Sequence, residues 1–522
     1  MKTYASGEIN PLTILFSLII ALTIPLLASA QAPSIGWAAK AGGGADDFSR
    51  GLASDAEGNC YVTGSFSGTA AFGSTNLTSA GAYDIFVAKY NNLGALQWVR
   101  QAGSDSSETE EGRGVALDKS GHLYVTGGFA GTANFGATNL VSAGGLDIFL
   151  AKYTVSGDLL WVRSAGGTND FEYGLSVALD PAENVFVTGQ FQGAAVFGGT
   201  NLTGRGGLDI FLAKHDGEGE VLWVTQAGGA TADVGRSVAV DGAGSSYIAG
   251  WISGAATFGA STTLPGAGST DAFAAKYDSQ GRLRWIAAVA SNLGELGYGF
   301  ALDAATNGIL LAWTDQPNGS QLGLYKFDSN GGSQWARAVR VNSDNNARGS
   351  IAVDAVGNSY FTSQFSGTAN FDGQTFLSQG ASDTVAAKYD AAGTLQWVKQ
   401  ITGTTAEEGR GIAYDAPGNV YLTGRFGGTM NFGITSLTTA GQGDMFLARL
   451  DGSPLLTVTR AANEVVLSWP AATSGFQLQS VGSLPAGSQW QNVTGSPALI
   501  GGRHFVTNTL TSSNAFFRLR KL

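Results

Sequence analysis

Apolar residues in this chain come in short unbroken runs, such as Ile148, Phe149, Leu150 and Ala151, and not at helical spacing. A run of this kind bounded by turn residues predicts a strand buried on both faces. The runs come in pairs. "VALDKSGHLYVTGGF" at 115–129 returns as "IAYDAPGNVYLTGRF" at 412–426, and "DIFLAKYTVSGDLLWV" at 147–162 returns as "DTVAAKYDAAGTLQWV" at 383–398. Each phrase predicts two strands joined by a tight turn. In the first phrase an Asp precedes a Gly by three residues: Asp55 and Gly58, Asp354 and Gly357, Asp415 and Gly418. That spacing suits a type I turn followed by a left-handed residue. Glycine enters the left-handed region without a Cβ penalty, and the carboxylate accepts backbone N–H groups across the turn. The second phrase repeats the device with Asp278 and Gly281, Asp328 and Gly331, and Asp390 and Gly393.

The pairs recur with one tryptophan each. Trp37, Trp98, Trp161, Trp223, Trp285, Trp335 and Trp397 stand 61, 63, 62, 62, 50 and 62 residues apart. Two hairpins per repeat predict four strands, A to D, with the tryptophan on D. No helical period appears inside the repeat, which excludes a strand-and-helix solenoid. Sheets buried on both faces must stack on neighbours, and four-stranded sheets repeated radially make a β-propeller. A lone D-type strand surrounds Trp37, and the last repeat stops at "DMFLARL" (444–450) without one. The reading is therefore an all-β fold, a seven-bladed β-propeller over residues 31–451 whose N-terminal strand completes the last blade.

These phrases resemble those of the bacterial seven-bladed β-propeller repeat proteins, abbreviated SBBP. The repeated pattern of that family, approximately D-x-x-G-N-x-Y-V-T-G, then F-G, then D-x-F-x-A-K-Y, is met by Asp55 to Gly64, Phe72-Gly73 and Asp84 to Tyr90, and again in repeats 2, 3, 6 and 7. The likeness spans about residues 35–451. Repeat 5 departs most, being about twelve residues short, with Gln321 in place of the repeated Asp. The resemblance implies the fold and secretion, and implies no activity.

Composition narrows the class. Glycine is 77 of 522 residues without a G-x-y period, which excludes collagen, and a 43% hydrophobic share excludes a disordered chain. The net charge of −11 argues against nucleic acid as a partner, and the single cysteine, Cys60, excludes an intramolecular disulfide. Residues 1–30 read as a signal peptide: Lys2, an apolar run from Leu12 to Leu27, and cleavage between Ala30 and Gln31, with a cut after Ala32 as the alternative. The run is too short to span a bilayer, so the mature chain is expected to carry no membrane span and to be secreted or displayed at the cell surface. Residues 452–522 change in character, with short β runs and Trp469, Phe476, Trp490, Phe505 and Phe517 as core candidates. They predict a small β-sandwich similar to abbreviated fibronectin type III ends. Its net charge of +4 against −15 for residues 31–451 favours docking on the propeller or on an anionic surface.

Candidate chemistry is sparse. No nucleophile elbow, H-E-x-x-H, Walker loop or EF-hand loop occurs. His122, His215 and His504 build no triad, and Cys60 reads as a buried apolar residue. The strand-C cations Lys89, Lys152, Lys214, Lys276, Lys326, Lys388 and Arg449 are expected in inter-blade ion pairs with a repeated Asp. Eight residues before each first-turn aspartate stand Asp47, Glu110, Glu172, Asp233, Glu295, Asn346 and Glu407, six of them carboxylates. In a propeller these D-to-A loops share one face with the B-to-C loops. A ring of carboxylates there is a candidate Ca2+ site, and the alternative is a loop-capping acid copied by duplication. No other cofactor is expected. The reading is a monomeric, non-catalytic binding protein whose partner is an extracellular glycan or protein. A polysaccharide lyase or hydrolase using two of these carboxylates, or a cell-envelope spacer, is the rival.

Overall fold

The computed structural model describes residues 32–168, 171–316, 319–341, 349–433, 435–452, 456–461, 464–470, 476–481, 490–493, 495–500, 503–509 and 516–521. Among the described residues the strands between Ile35 and Leu450 pair into seven four-stranded antiparallel units. The first consists of A Phe48–Ser54, B Cys60–Phe66, C Asp84–Tyr90 and D Leu96–Ala102. The seventh consists of A Glu407–Tyr414, B Val420–Phe426 and C Asp444–Leu450, and its fourth strand is Ile35–Gly43, in which Ala38 lies opposite Ala448 and Ala41 opposite Met445. The fold is an all-β propeller.

The turns form for the reason their sequence suggests. Asp55 N–H donates to the Asn59 carbonyl, Gly58 N–H donates to the Asp55 carbonyl at 3.1 Å, and the Asp55 carboxylate accepts the Asn59 N–H at 2.8 Å. Gly58 sits at φ +80°. In the third and fifth units Glu183 (φ 65°) and Thr306 (φ 62°) hold this position in a region that disfavours side chains.

Strands B and C are buried on both faces, and the two faces serve different neighbours. In the first unit Val62 and Phe86 pack with Tyr421 and Leu447 of the seventh, whereas Tyr61, Ile85 and Val87 pack with Val125 and Phe149 of the second. Alternation along a strand thus divides its side chains between two junctions.

Among the described residues six of the junctions are also stitched by a tryptophan. The indole Nε1 of strand D donates to a carbonyl in the C–D turn of the following unit: Trp98 to Val155 at 3.0 Å, Trp161 to Gly217 at 3.2 Å, Trp223 to Ser279 at 3.1 Å. The turn glycine lies against the same ring. A Cβ on Gly157 would come within 2.7 Å of Trp98, and one on Gly281 within 2.9 Å of Trp223. Glycine is required there by packing as well as by φ.

The B-to-C excursion leaves its own unit and continues the sheet before it. The hairpin Thr69–Phe72 and Thr75–Thr78 pairs with Ile35–Gly43, and Ala256–Phe258 pairs with strand D of the third unit, Val221–Gly229. The shortness of the fifth repeat lies here. Its B strand, Gly308–Thr314, is followed directly by C, Gln321–Phe327, so among the described residues strand D of the fourth unit, Leu283–Val289, ends its sheet without such a hairpin.

In the C-terminal segment, Glu464–Pro470 pairs with Thr457–Ala461 and Arg503–Thr509, while Phe476–Val481 pairs with Phe516–Lys521. The two sheets share one apolar cluster of Val465, Leu467, Trp469 and Leu478. Of the expected core aromatics Trp469 is buried and Phe517 packs at the edge of that cluster. Phe476 and Phe505 are half-buried, and Trp490 lies under the Arg518 guanidinium at 4.3 Å.

Candidate ligand site in the central channel

The seven A strands surround one cavity of about 190 Å³, lined by residues of every unit. In six of these strands the pairing with B skips a residue. Ser49 lies opposite Gly64 and Gly51 opposite Thr63, leaving Arg50 as an extra residue. Arg113, Leu175, Arg236, Tyr298 and Arg410 are the extra residues of the second, third, fourth, fifth and seventh units. Such a β-bulge re-aims the unpaired side chain away from the ladder. All six bulge residues line the cavity.

In five of the six units the glycine of the repeated V-T-G-type phrase lies beside the bulge, and in the fifth unit Ala312 takes its place. A Cβ on Gly64 would overlap the Phe48 carbonyl oxygen, and one on Gly127, Gly189, Gly250 or Gly424 would overlap the equivalent carbonyl of its own A strand. The threonine before the glycine ties B to C: Thr63 Oγ1 donates to the Phe86 carbonyl at 2.8 Å and Thr126 Oγ1 to that of Phe149 at 2.7 Å.

Four of the bulge residues are arginines. The Glu111 carboxylate lies between the Arg50 and Arg113 guanidinium groups, and Arg410 Nε donates to Glu408 at 2.8 Å. Burial pushes the Glu111 carboxyl up, but Arg113 and Arg50 outweigh it and hold it below the usual range. Glu408 is held low in the same way, against burial, by Arg410 and then Arg425. Aromatic rings floor the arginines: Arg50 lies 5.0 Å from the Phe48 ring centre and Arg113 5.0 Å from that of Tyr173. Arg50 Nη1 is buried with no hydrogen-bond partner in the protein.

The six candidate carboxylates lie behind this collar, and all are buried. Asp47 accepts the Gly43 N–H at 2.7 Å and the Ser67 N–H at 3.2 Å. Glu110 accepts the Ser104 N–H at 2.6 Å and the Ala130 N–H at 3.0 Å, and Asp233 accepts those of Gly229 and Ser253 at 2.7 and 3.1 Å. Glu295 accepts the Ser291 N–H at 3.0 Å and Glu407 that of Thr405 at 3.3 Å. Where both bonds form, the acid joins the end of one unit's D strand to the end of the next unit's B strand. That is the geometry of a loop cap. Asn346 lies outside the described residues, as do Ala30 and Gln31.

Each acid faces an aspartate that opens strand C of the preceding unit. A Cβ on Gly42 would meet Asp444 Oδ1 at 2.5 Å and Asp47 Oδ2 at 2.8 Å, so both carboxyls flank one glycine. Burial and then the second carboxyl raise these groups. Glu172 is pushed up to about 8 by burial and Asp147, and Glu110 to about 7 by burial with Asp84 adding. Asp47 and Glu407 are pushed up to about 7 and Asp233 to about 6, while Glu295 is raised. The acids lie two by two, and among the described residues no three His, Cys, Asp or Glu converge as a metal site would require.

The remaining residues singled out in the sequence have structural surroundings. His122 Nδ1 lies 2.8 Å from Asp118 Oδ2, in the role that Asn184 plays with Asp180. His215 is buried with Nδ1 3.1 Å from the Gly219 carbonyl, and burial lowers its pKa. Cys60 is buried and free, and burial pushes its thiol up. Three of the strand-C lysines form ion pairs, within a unit and not between units: Lys214 with Asp180 at 3.3 Å, Lys276 with Asp241 at 3.6 Å, Lys326 with Asp303 at 3.4 Å. The first-turn Asp is close because strand B carries it back beside strand C. Lysine reaches the next unit by donating to a backbone carbonyl, as Lys326 does to Ala391 at 3.2 Å.

The arginine collar escaped the sequence reading. Its signal is an Arg five residues before the turn aspartate, followed by Gly or Ser, at Arg50, Arg113, Arg236 and Arg410. The bulge that aims these side chains inward follows from pairing, which the sequence does not display.

Residues 222–255 match the family model of the SBBP β-propeller repeat. An uncharacterized WD repeat-containing protein of Acanthamoeba polyphaga mimivirus is 23% identical over 411 residues, covering 59% of this chain and 29% of that protein. The regulatory protein FlaEY of Caulobacter vibrioides is 26% identical over 209 residues, covering 37% of this chain and 21% of FlaEY. The chain thus spans under a third of the length of either curated relative. Among solved structures, Sqt1 of Chaetomium thermophilum is similar at a TM-score of 0.39 and 9% identity, covering 81% of this chain and 100% of Sqt1. The Pan2 WD40 domain of Neurospora crassa is similar at a TM-score of 0.39 and 8% identity, covering 78% of this chain and 97% of that domain. The chain is a β-propeller protein carrying the SBBP repeat.

Proposed function

We propose that this protein is a secreted, non-catalytic binding protein: a seven-bladed ring closed by its N-terminal strand, with its ligand on the face of the D-to-A and B-to-C loops. The observation that carries the reading is the collar of arginines set on bulges at the inner strands, beside those loops. The loops of that face lie side by side, through bridges such as Tyr83 with Thr109 and Leu146 with Phe171. Phe171, 54% exposed, and Leu293, 38% exposed, offer apolar contacts on two of the D-to-A loops. Buried acids whose oxygens hold backbone N–H groups are out of reach of a substrate, which weighs against the lyase or hydrolase reading. Closure is supported by the cluster at the junction of the first and seventh units. Export rests on the apolar leader and its Ala30–Gln31 boundary, which lie outside the described residues.

The test is a glycan and protein array probed with the exported protein and with a Phe171→Ser, Leu293→Ser variant. The reading expects a specific signal that the variant loses. An array that stays blank, or a signal that the variant retains, overturns it. Mass spectrometry of exported material should find an N-terminus at Gln31 or Pro33.

A further inference from the structure

We propose that the cavity at the junction of the second and third units binds a small neutral alcohol, its hydroxyl donating to Nε2 of His215 and its carbon atoms lying among apolar walls. The site shares no lining residue with the channel and does not rest on the binding face proposed above.

The sequence opens this cavity. Where strand C turns into strand D, a tyrosine lies opposite a leucine in the first, second, fourth and sixth units: Tyr90 with Leu96, Tyr153 with Leu159, Tyr277 with Leu283 and Tyr389 with Leu395. The third unit sets His215 opposite Val221, so both members of the pair are smaller. Both line a cavity of about 60 Å³. The corresponding cavity between the seventh and first units measures about 10 Å³. Its walls include Val62, Phe86 and Leu447, the counterparts of Val187, Phe211 and Leu150, together with Tyr90 at the place of His215. Three walls are matched in residue type, and the fourth is the tyrosine that His215 replaces.

Size and polarity select the occupant. The volume is that of roughly two waters in the liquid, and a buried water needs about two to four polar partners. The deep side chains supply one. Ile148, Leu150, Val187, Phe197 and Phe211 are buried and apolar, and His215 is the buried polar residue among them. An alcohol of about two or three carbons fills the same space and asks for a single polar partner. Arg163 and Glu220, the lining residues of opposite charge, pair with each other at 3.2 Å, so they do not draw in an ion.

The imidazole is set to accept. Its Nδ1 lies 3.1 Å from the Gly219 carbonyl. A carbonyl only accepts, so the ring proton sits on Nδ1 and Nε2 carries the lone pair. Burial lowers the His215 pKa, which keeps the ring neutral near neutral pH.

The experiment follows isotopically labelled histidine by NMR in the full chain, which has three histidines, with His215→Tyr identifying the signal. Isopropanol is titrated in, and acetone serves as the probe of similar size that accepts a hydrogen bond but cannot donate one. The proposal expects a saturable shift of the His215 Nε2 signal with isopropanol while His122 and His504 stay unmoved. Acetone should bind at least about fivefold more weakly, the worth of one hydrogen bond. Val221→Leu restores one member of the repeated pair and keeps the reporter, and should weaken binding at least about fivefold by filling the space. His215→Tyr should abolish saturation transfer from the protein to the alcohol methyl groups. Each variant is checked for its melting temperature, and should His215→Tyr fail to fold, Val221→Leu carries the test. No saturable shift, acetone binding as tightly as isopropanol, a titration that Val221→Leu leaves unchanged, or saturation transfer that His215→Tyr retains overturns the proposal.

Discussion

Trp37 Nε1 donates to the Asn92 carbonyl at 2.9 Å, joining the first described strand to the C–D turn of the first unit. The bond is the one Trp98 makes to Val155 and Trp285 to Ser329, and a Cβ on Gly94 would meet the Trp37 ring at 2.6 Å, as its counterparts would meet theirs. Arg449 of the adjacent strand donates to the same carbonyl at 2.8 Å. The contact of Ile35–Gly43 with the first unit is therefore packed like the contacts that Trp98 and Trp285 make.

Removal of residues 31–44 takes away this strand and uncovers the edge of Asp444–Leu450, whose partner it is. An uncovered edge invites association. The truncated protein is expected to melt at least ~5 °C lower and to elute partly as larger species. A truncated protein that melts and elutes like the full chain would show that the strand does not hold the ring.

Gly157 tests the turn against the tryptophan. It has φ +83° and lies against Trp98, whereas Gly136 has φ +91° with open space around its Cβ position. Gly136→Ala should cost about 1 kcal/mol for the backbone alone. Gly157→Ala should cost roughly 1–3 kcal/mol more, because the ring must shift. Chemical denaturation of both variants checks the difference, and equal losses would contradict the packing role.

The buried carboxyl pairs set a pH dependence. Their raised pKa values mean that the folded chain binds more protons than the unfolded one between about pH 4 and about pH 8, so their contribution to stability falls as pH rises through that window. The arginine-paired Glu111 and Glu408 act in the opposite sense, losing their contribution as pH falls below the carboxylate range. Glu172→Gln removes the most strongly raised carboxyl of the ring. The variant should be more stable than the parent by about 1–2 kcal/mol at about pH 8, with little gain near about pH 5. A gain that does not change with pH would contradict the assignment.

Calcium tests the same acids in another way. With Asp47, Glu110 and Asp233 each accepting two backbone N–H groups and all six acids buried, millimolar CaCl2 should raise the melting temperature no more than NaCl of equal ionic strength. A calcium response abolished by Glu110→Gln with Glu172→Gln would restore the metal reading, since a ligand of the folded state stabilises by mass action.

Much of this protein is local and could be read from the chain. The turns are encoded by residues three apart, as Asp55 and Gly58 are, and the strands by unbroken apolar runs, so repeat length and strand order follow from neighbours in sequence. The carboxylates at Asp47, Glu110, Glu172, Asp233, Glu295 and Glu407 could be counted too, but their burial could not. Whether such an acid meets water or a backbone N–H twenty residues away, as Glu110 meets Ala130, depends on how two units abut. The partner of Lys214 likewise depended on which turn folds back beside it. The arginine collar was the least legible part. A bulge exists only as a mismatch between two paired strands, and it is this mismatch that turns Arg50 from a strand residue into a wall of the channel.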